Sequence, residues 1–146
     1  MKKIMVFLAV SLAITAVAVA ADKVESPQSC QQCGMDRVFF AQSRMLIVYA
    51  DGTTAGECSL NCAVVEMKKS KGKQVKSLKV ADYPTKKLID ARKATWVVGG
   101  RKSGVMTSLP KWTFASRGDA QRFVRENGGR VTTFDEALDL ATKENE

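Results

Sequence analysis

The chain has 146 residues, a net charge of +8, four cysteines and no histidine. Without histidine the commonest general base and metal ligand is missing, so Ser–His nucleophilic and hydrolytic chemistry have little to build on. The length suits one domain with one core.

The first twenty residues read as an address. Lys2 and Lys3 form a positive start, Ile4 to Val19 is an apolar run broken only by Ser11 and Thr15, and Ala18-Val19-Ala20 supplies a small-x-small cleavage site. The run is shorter than the about 20 apolar residues a membrane span needs, and no second candidate follows. A signal peptide over 1–20 and a mature domain over 21–146 are expected, exported to the periplasm and holding no membrane span after cleavage. Lys2 and Lys3 leave with the leader, so the charge falls to +6. Lys68, Lys69, Lys71, Lys73, Lys76 and Lys79 carry much of that excess. They read as a solvated stretch after a helix, or as a surface for an acidic partner. No aromatic residue interleaves them to stack bases, and export argues against nucleic acid in any case.

The mature chain repeats one pattern, hairpin then helix. Met45 to Tyr49 is a dense β-forming run, Asp51-Gly52 is a tight-turn signal, and Thr53 to Glu57 returns as the second strand. A helix follows from about Ser59, with Leu60, Ala63, Val64 and Met67 at helical spacing. Lys68 to Thr85 is the most loop-like stretch. In the second copy Ala94 to Val98 is the strand, Gly99-Gly100 breaks it, and Trp112 to Ala115 pairs back. Ser116 caps a helix whose inner face is Ala120, Phe123 and Val124, and Gly128-Gly129 ends it. A short strand at Arg130 to Thr132 leads into Thr133-Phe134-Asp135-Glu136, a capping-box sequence. The helix it opens carries Phe134, Leu138 and Ala141 on one face. The fold class is α+β, a single domain of two β-hairpin–helix units. Met45, Met67, Trp96, Trp112 and Phe123 are core candidates.

The chemistry is concentrated in Cys30-x2-Cys33-x24-Cys58-x3-Cys62. Two close pairs separated along a small domain are how sulfur is gathered round one ion. Cys30 and Cys33 fall in a turn before the first hairpin, where Gly34 eases the backbone, Cys58 ends the hairpin, and Cys62 lies in the first turn of the next helix. Knuckle, hairpin and helix start make a treble-clef-like first unit, and the helix N-terminus favours thiolate. Soft thiolates select Cu(I), Zn(II) or iron–sulfur clusters, and the thioether of Met35 tilts the choice to Cu(I). Zinc remains open, since four thiolates are its ordinary structural set. Local or crossed disulfides are also open in an oxidising compartment, as is a redox pair at Cys30 and Cys33.

Cys30-Gln-Gln-Cys33-Gly34-Met35, followed by an apolar strand ending Tyr49-Ala-Asp51-Gly52, resembles the opening of NosL-type proteins, accessory factors of nitrous oxide reductase. The second half is similar in the same order: Trp96-Val97-Val98, a glycine-rich segment with Met106, Phe114-Ala115-Ser116, Gly128-Gly129-Arg130-Val131 and Phe134-Asp135-Glu136. The resemblance implies an exported Cu(I)-binding metallochaperone, not an enzyme, that supplies a periplasmic copper enzyme such as nitrous oxide reductase. It implies Cys33, Met35 and Met106 as metal residues. Family members are commonly lipoproteins, and no lipobox is present here. Cys58 and Cys62 are sulfur beyond the core family motif, and with Cys30 they complete the metal candidates. The alternative reading is a zinc- or disulfide-stabilised binding module for an acidic exported partner.

Overall fold

A computed structural model describes residues 23–146. The leader expected over 1–20 lies outside the described residues. β1 (Met45–Tyr49) and β2 (Thr54–Glu57) form the first hairpin. Its turn closes because Gly52 sits at φ 85°, a left-handed backbone that glycine adopts without strain. The Asp51 carboxylate accepts hydrogen bonds from Thr53 N at 2.9 Å and Thr53 Oγ1 at 2.6 Å. α1 (Leu60–Lys69) follows, with Ser59 as its N-cap.

The stretch expected to be most loop-like is instead a strand at the middle of a sheet. β3 (Val75–Ala81) pairs antiparallel with β1 on one side and with the short β4 (Leu88–Asp90) on the other. Its lysines hid it. Lys76 and Lys79 are exposed while Leu78, Val80 and Ala81 are buried, and the register shifts between Val48 and Tyr49 opposite its start, so strict alternation never develops.

The second half follows the sequence closely. β5 (Thr95–Val98) and β6 (Lys111–Phe114) make the hairpin, α2 (Arg117–Asn127) is capped by Ser116, and Gly128 at φ 76° ends it. β7 (Arg130–Thr132) returns beside β5, and α3 (Phe134–Lys143) closes the domain. Only half of the expected capping box forms. Thr133 accepts from Glu136 N at 3.3 Å, but the Glu136 carboxylate turns to Arg130 and Thr132.

The repeat runs further than hairpin and helix. Sheet one has the order β2-β1-β3-β4 and sheet two the order β6-β5-β7. Each unit is thus β-β-α-β, its third strand returning to the free side of its first. The two units are one domain because β5 is buried on both faces. Trp96 and Val98 join Met45, Ile47, Leu60, Leu78 and Phe134 in one cluster, and Val97 joins Trp112, Phe114 and Phe123 in the other. Trp96 also donates Nε1–H to Ala91 O at 2.8 Å, so its one polar atom is satisfied. α3 buries Phe134, Ala137 and Ala141 and leaves Leu138 half-buried. None of the described helices is long and apolar enough to cross a membrane.

Candidate metal centre

The second core cluster is aromatic at one end and sulfur-rich at the other. Cys30, Cys58 and Cys62 belong to it, and Cys33 packs at its edge. Three local structures aim the thiols. The Cys30–Gly34 turn is closed by Gly34 N donating to Cys30 O at 2.9 Å and Cys30 N donating to Met35 O at 2.8 Å, with Gly34 at φ 76°. That turn is stitched to β2 by Gln31 N to Gly56 O at 3.1 Å and Gly56 N to Gln31 Oε1 at 2.8 Å. Cys58 leaves β2, its carbonyl accepting from Ser43 Oγ at 2.8 Å. Cys62 lies in the first turn of α1, where its amide donates to the Ser59 hydroxyl at 3.3 Å.

All four Sγ atoms lie within 4.8 Å of one another, and all four are free thiols. Cys33 and Cys58 sulfurs are 3.5 Å apart, Cys58 and Cys62 sulfurs 3.7 Å. An ion bonded tetrahedrally at about 2.3 Å holds its sulfurs about 3.8 Å apart, so the spacing fits a metal with little movement. Cys30, Cys58 and Cys62 are at most 5% exposed, whereas Cys33 is half-buried. A pocket of about 230 Å³ opens on the cluster, with Cys33, Cys62, Gln32, Asn61, Lys69 and Met106 on its walls.

Met106, 49% exposed, therefore shares a pocket with two of the cysteines although it is far from them in sequence. Met35 does not line that pocket. It is half-buried and packs against the core cluster that contains the cysteines. Met45 is fully buried, and Met67 packs at the margin of the first cluster.

Four thiols this close cannot all ionise, and the cluster divides the charge unevenly. Sulfur hydrogen bonds from Cys58 and Cys62 pull the Cys30 pKa far down, against its burial. The same contacts, with burial, push Cys58 up and Cys62 up to about 12. The shifts thus favour the charged form at Cys30 and oppose it at Cys62, although Cys62 lies at the helix N-terminus.

Sequence reasoning missed Glu57 and Arg37, both fully buried. Glu57 Oε2 lies 2.9 Å from Cys30 Sγ and accepts from Gln32 N at 3.3 Å, while Oε1 has no partner among the described residues. Burial, then the Cys30 contact, raises its pKa to about 9. The available signal was strand alternation: Glu57 faces the same way as the buried Ala55, opposite Met45. Arg37 donates to Glu57 O at 3.2 Å, Met45 O at 3.0 Å and Glu25 O at 3.0 Å, and pairs with the Glu25 carboxylate. A Cβ on Gly56 would meet its guanidinium at 2.5 Å, so the glycine makes room for it.

Two β-β-α-β units carry, at the first strand-to-helix corner, a four-thiol group that could hold a metal ion. The chain belongs to the NosL family, whose model matches residues 21–140. It is also similar to the crystal structure of the copper chaperone NosL from Shewanella denitrificans. The match has 25% identity and a TM-score of 0.59, covering 80% of this chain and 94% of that one. No curated protein matches it.

Proposed function

We propose that this protein is an exported accessory factor that binds Cu(I) and hands it to a periplasmic copper enzyme, nitrous oxide reductase being the client its family suggests. One observation carries the reading: four thiol sulfurs lie within 4.8 Å of one another, and one of them, Cys33, is half-buried on an open pocket. Cu(I) is stable with few soft donors, so it can be held and still be reached by an acceptor's ligand. Cys33 and Cys62, with the Met106 thioether on the same pocket, are the exchange side of the site. Cys30 and Cys58, screened from solvent, are its anchor. Met35 supports the turn that carries Cys33 and is the sixth candidate sulfur. Copper enters here as cargo, and no turnover of substrate is part of the reading. The leader over 1–20 directs export and is cleaved near Ala20.

The near-tetrahedral sulfur spacing favours a second reading, a closed structural zinc site in a module that binds an acidic exported partner through the lysines of 68–79. An anaerobic titration of the reduced chain from Ala21 against a chromogenic Cu(I) chelator separates the two. One Cu(I) per chain is expected, weakened many-fold by Cys33→Ser and by Cys33→Ser with Met35→Leu. No competition with the chelator, together with retention of Zn(II), would overturn the copper reading.

A further inference from the structure

The segment that brings Met106 to the cysteine pocket is tied down by a polar network. Lys111, only 7% exposed, sends its ammonium to Asn61 Oδ1 at 3.2 Å, Thr107 Oγ1 at 3.0 Å and Leu109 O at 3.0 Å, and pairs with Glu144. Glu144 caps the C-terminus of α3. Its carboxylate accepts from Ser108 N at 3.0 Å, Ser108 Oγ at 2.6 Å, Leu109 N at 2.9 Å and Asn61 Nδ2 at 2.9 Å. Asn61 is the residue before Cys62 in α1. One acid and one base thus join the helix start that carries Cys62 to the segment that follows Met106.

Met106 itself is strained. It sits at φ 50°, a left-handed conformation that a side chain longer than glycine's resists. Such a residue persists only where its surroundings over-determine it, and such sites are often functional. Here the surroundings are the Glu144 bonds on one side and a tight turn on the other, where a Cβ on Gly104 would meet Thr107 Cγ2 at 2.4 Å. Burial opposes the charge on Glu144, but Lys111, Ser108 and Asn61 outweigh it and hold the carboxyl well below its ordinary range. The Glu144 carboxyl is thereby held in its charged form.

Resting on the copper reading above, we infer that Glu144 and Lys111 are positioning residues that hold the strained Met106 segment so that its thioether faces the cysteine pocket. They touch no metal themselves. They fix the distance between the thioether and the thiols, and so decide whether the site offers Cu(I) a sulfur beyond its cysteines.

The test is a double-mutant cycle on the reduced chain from Ala21, with Cu(I) itself as the probe. Affinity is read by chelator competition, and the number of sulfur neighbours by X-ray absorption at the copper edge. Met106→Leu and Glu144→Ala are each expected to weaken Cu(I) by roughly tenfold, as loss of a supporting group does, and each to remove one sulfur neighbour. The double variant is expected to lose no more than either single one. Should Glu144→Ala not fold, Glu144→Gln, which keeps the shape and loses the charge, is read the same way. Wild-type affinity and sulfur count in the Glu144 variant, or losses that add in full, would overturn the inference and leave the copper reading standing. A wild-type chain that takes no Cu(I) would overturn both.

Discussion

The two units share one corner, where the second strand of the hairpin turns into the helix, and they use it for different ends. In the first, Cys58 leaves β2, Ser59 caps α1 and Cys62 is its third residue. In the second, Ala115 leaves β6, Ser116 caps α2 and Asp119 is its third residue. The caps do the same work: Ser59 accepts from Cys62 N at 3.3 Å, and Ser116 accepts from Gly118 N at 3.1 Å and Asp119 N at 3.4 Å. Around the first corner, however, stand the Cys30–Gly34 turn and the Glu57 carboxyl. Phe114 stands where Glu57 would, and Asp119 pairs with Arg122 at the surface, 3.1 Å away. The corner is therefore a property of the β-β-α-β unit, and the four-thiol group is a property of the cysteines placed on it.

The sharpest way to break the comparison is to give the first corner the chemistry of the second. Cys58→Ala with Cys62→Ser should leave the domain folded, since the second corner folds with no sulfur. Serine serves better than aspartate at position 62, because the site is 5% exposed and would strand a carboxylate that Asp119 keeps wet. Metal binding should fall by more than the roughly 10–100-fold that losing a supporting residue costs. Metal content after dialysis against a chelator, with circular dichroism of the same sample, checks both halves. The reverse graft, Ala115→Cys with Asp119→Cys, should bind metal weakly, because no second thiol pair stands over that corner.

The next largest effect should come from the residue that makes two units into one domain. Trp96→Ala removes a side chain 1% exposed that packs on Phe134, with ring centroids 5.9 Å apart. It should cost about 3–5 kcal/mol. Because β5 is buried on both faces, urea unfolding should remain a single transition, with fluorescence and circular dichroism coinciding. Two separated transitions would mean that the units fold independently and that the cysteine site needs only the first.

What could be read from the sequence divides along the same physical line. Both hairpins, both capped helices and the cysteine corner were legible because their signals are local: period, turn glycine, capping serine and close thiol pairs. β3 was not, because its two exposed lysines and the opposing bulge erase the alternation that marks a strand. Glu57, Arg37 and Glu144 were not either. A carboxylate or guanidinium in a short strand, turn or tail ordinarily faces water; tertiary contacts bury Glu57 and Arg37, and they tie the exposed Glu144 to Ser108, Leu109 and Lys111. Met106 was legible only through the family resemblance. Its φ of 50° and its place on the pocket beside Cys33 and Cys62 are set by the tertiary fold, which no local signal in the sequence records.

The smallest effect is also the cleanest comparison, because it asks the two caps the same question. Ser59→Ala and Ser116→Ala each remove a hydroxyl that satisfies helix N-terminal amides, and each should cost about 1 kcal/mol in urea unfolding. Their effects on metal should differ. Ser59 holds the amide of Cys62, so without it the first turn of α1 loosens under one of the four sulfurs and Cu(I) affinity should fall several-fold. Ser116 holds Gly118 and Asp119, which face no thiol, and its loss should leave affinity unchanged once the stability difference is matched. Equal effects of the two caps on affinity would mean that the site responds to overall stability alone. A fall confined to Ser59→Ala would show that the helix start fixes the position of Cys62.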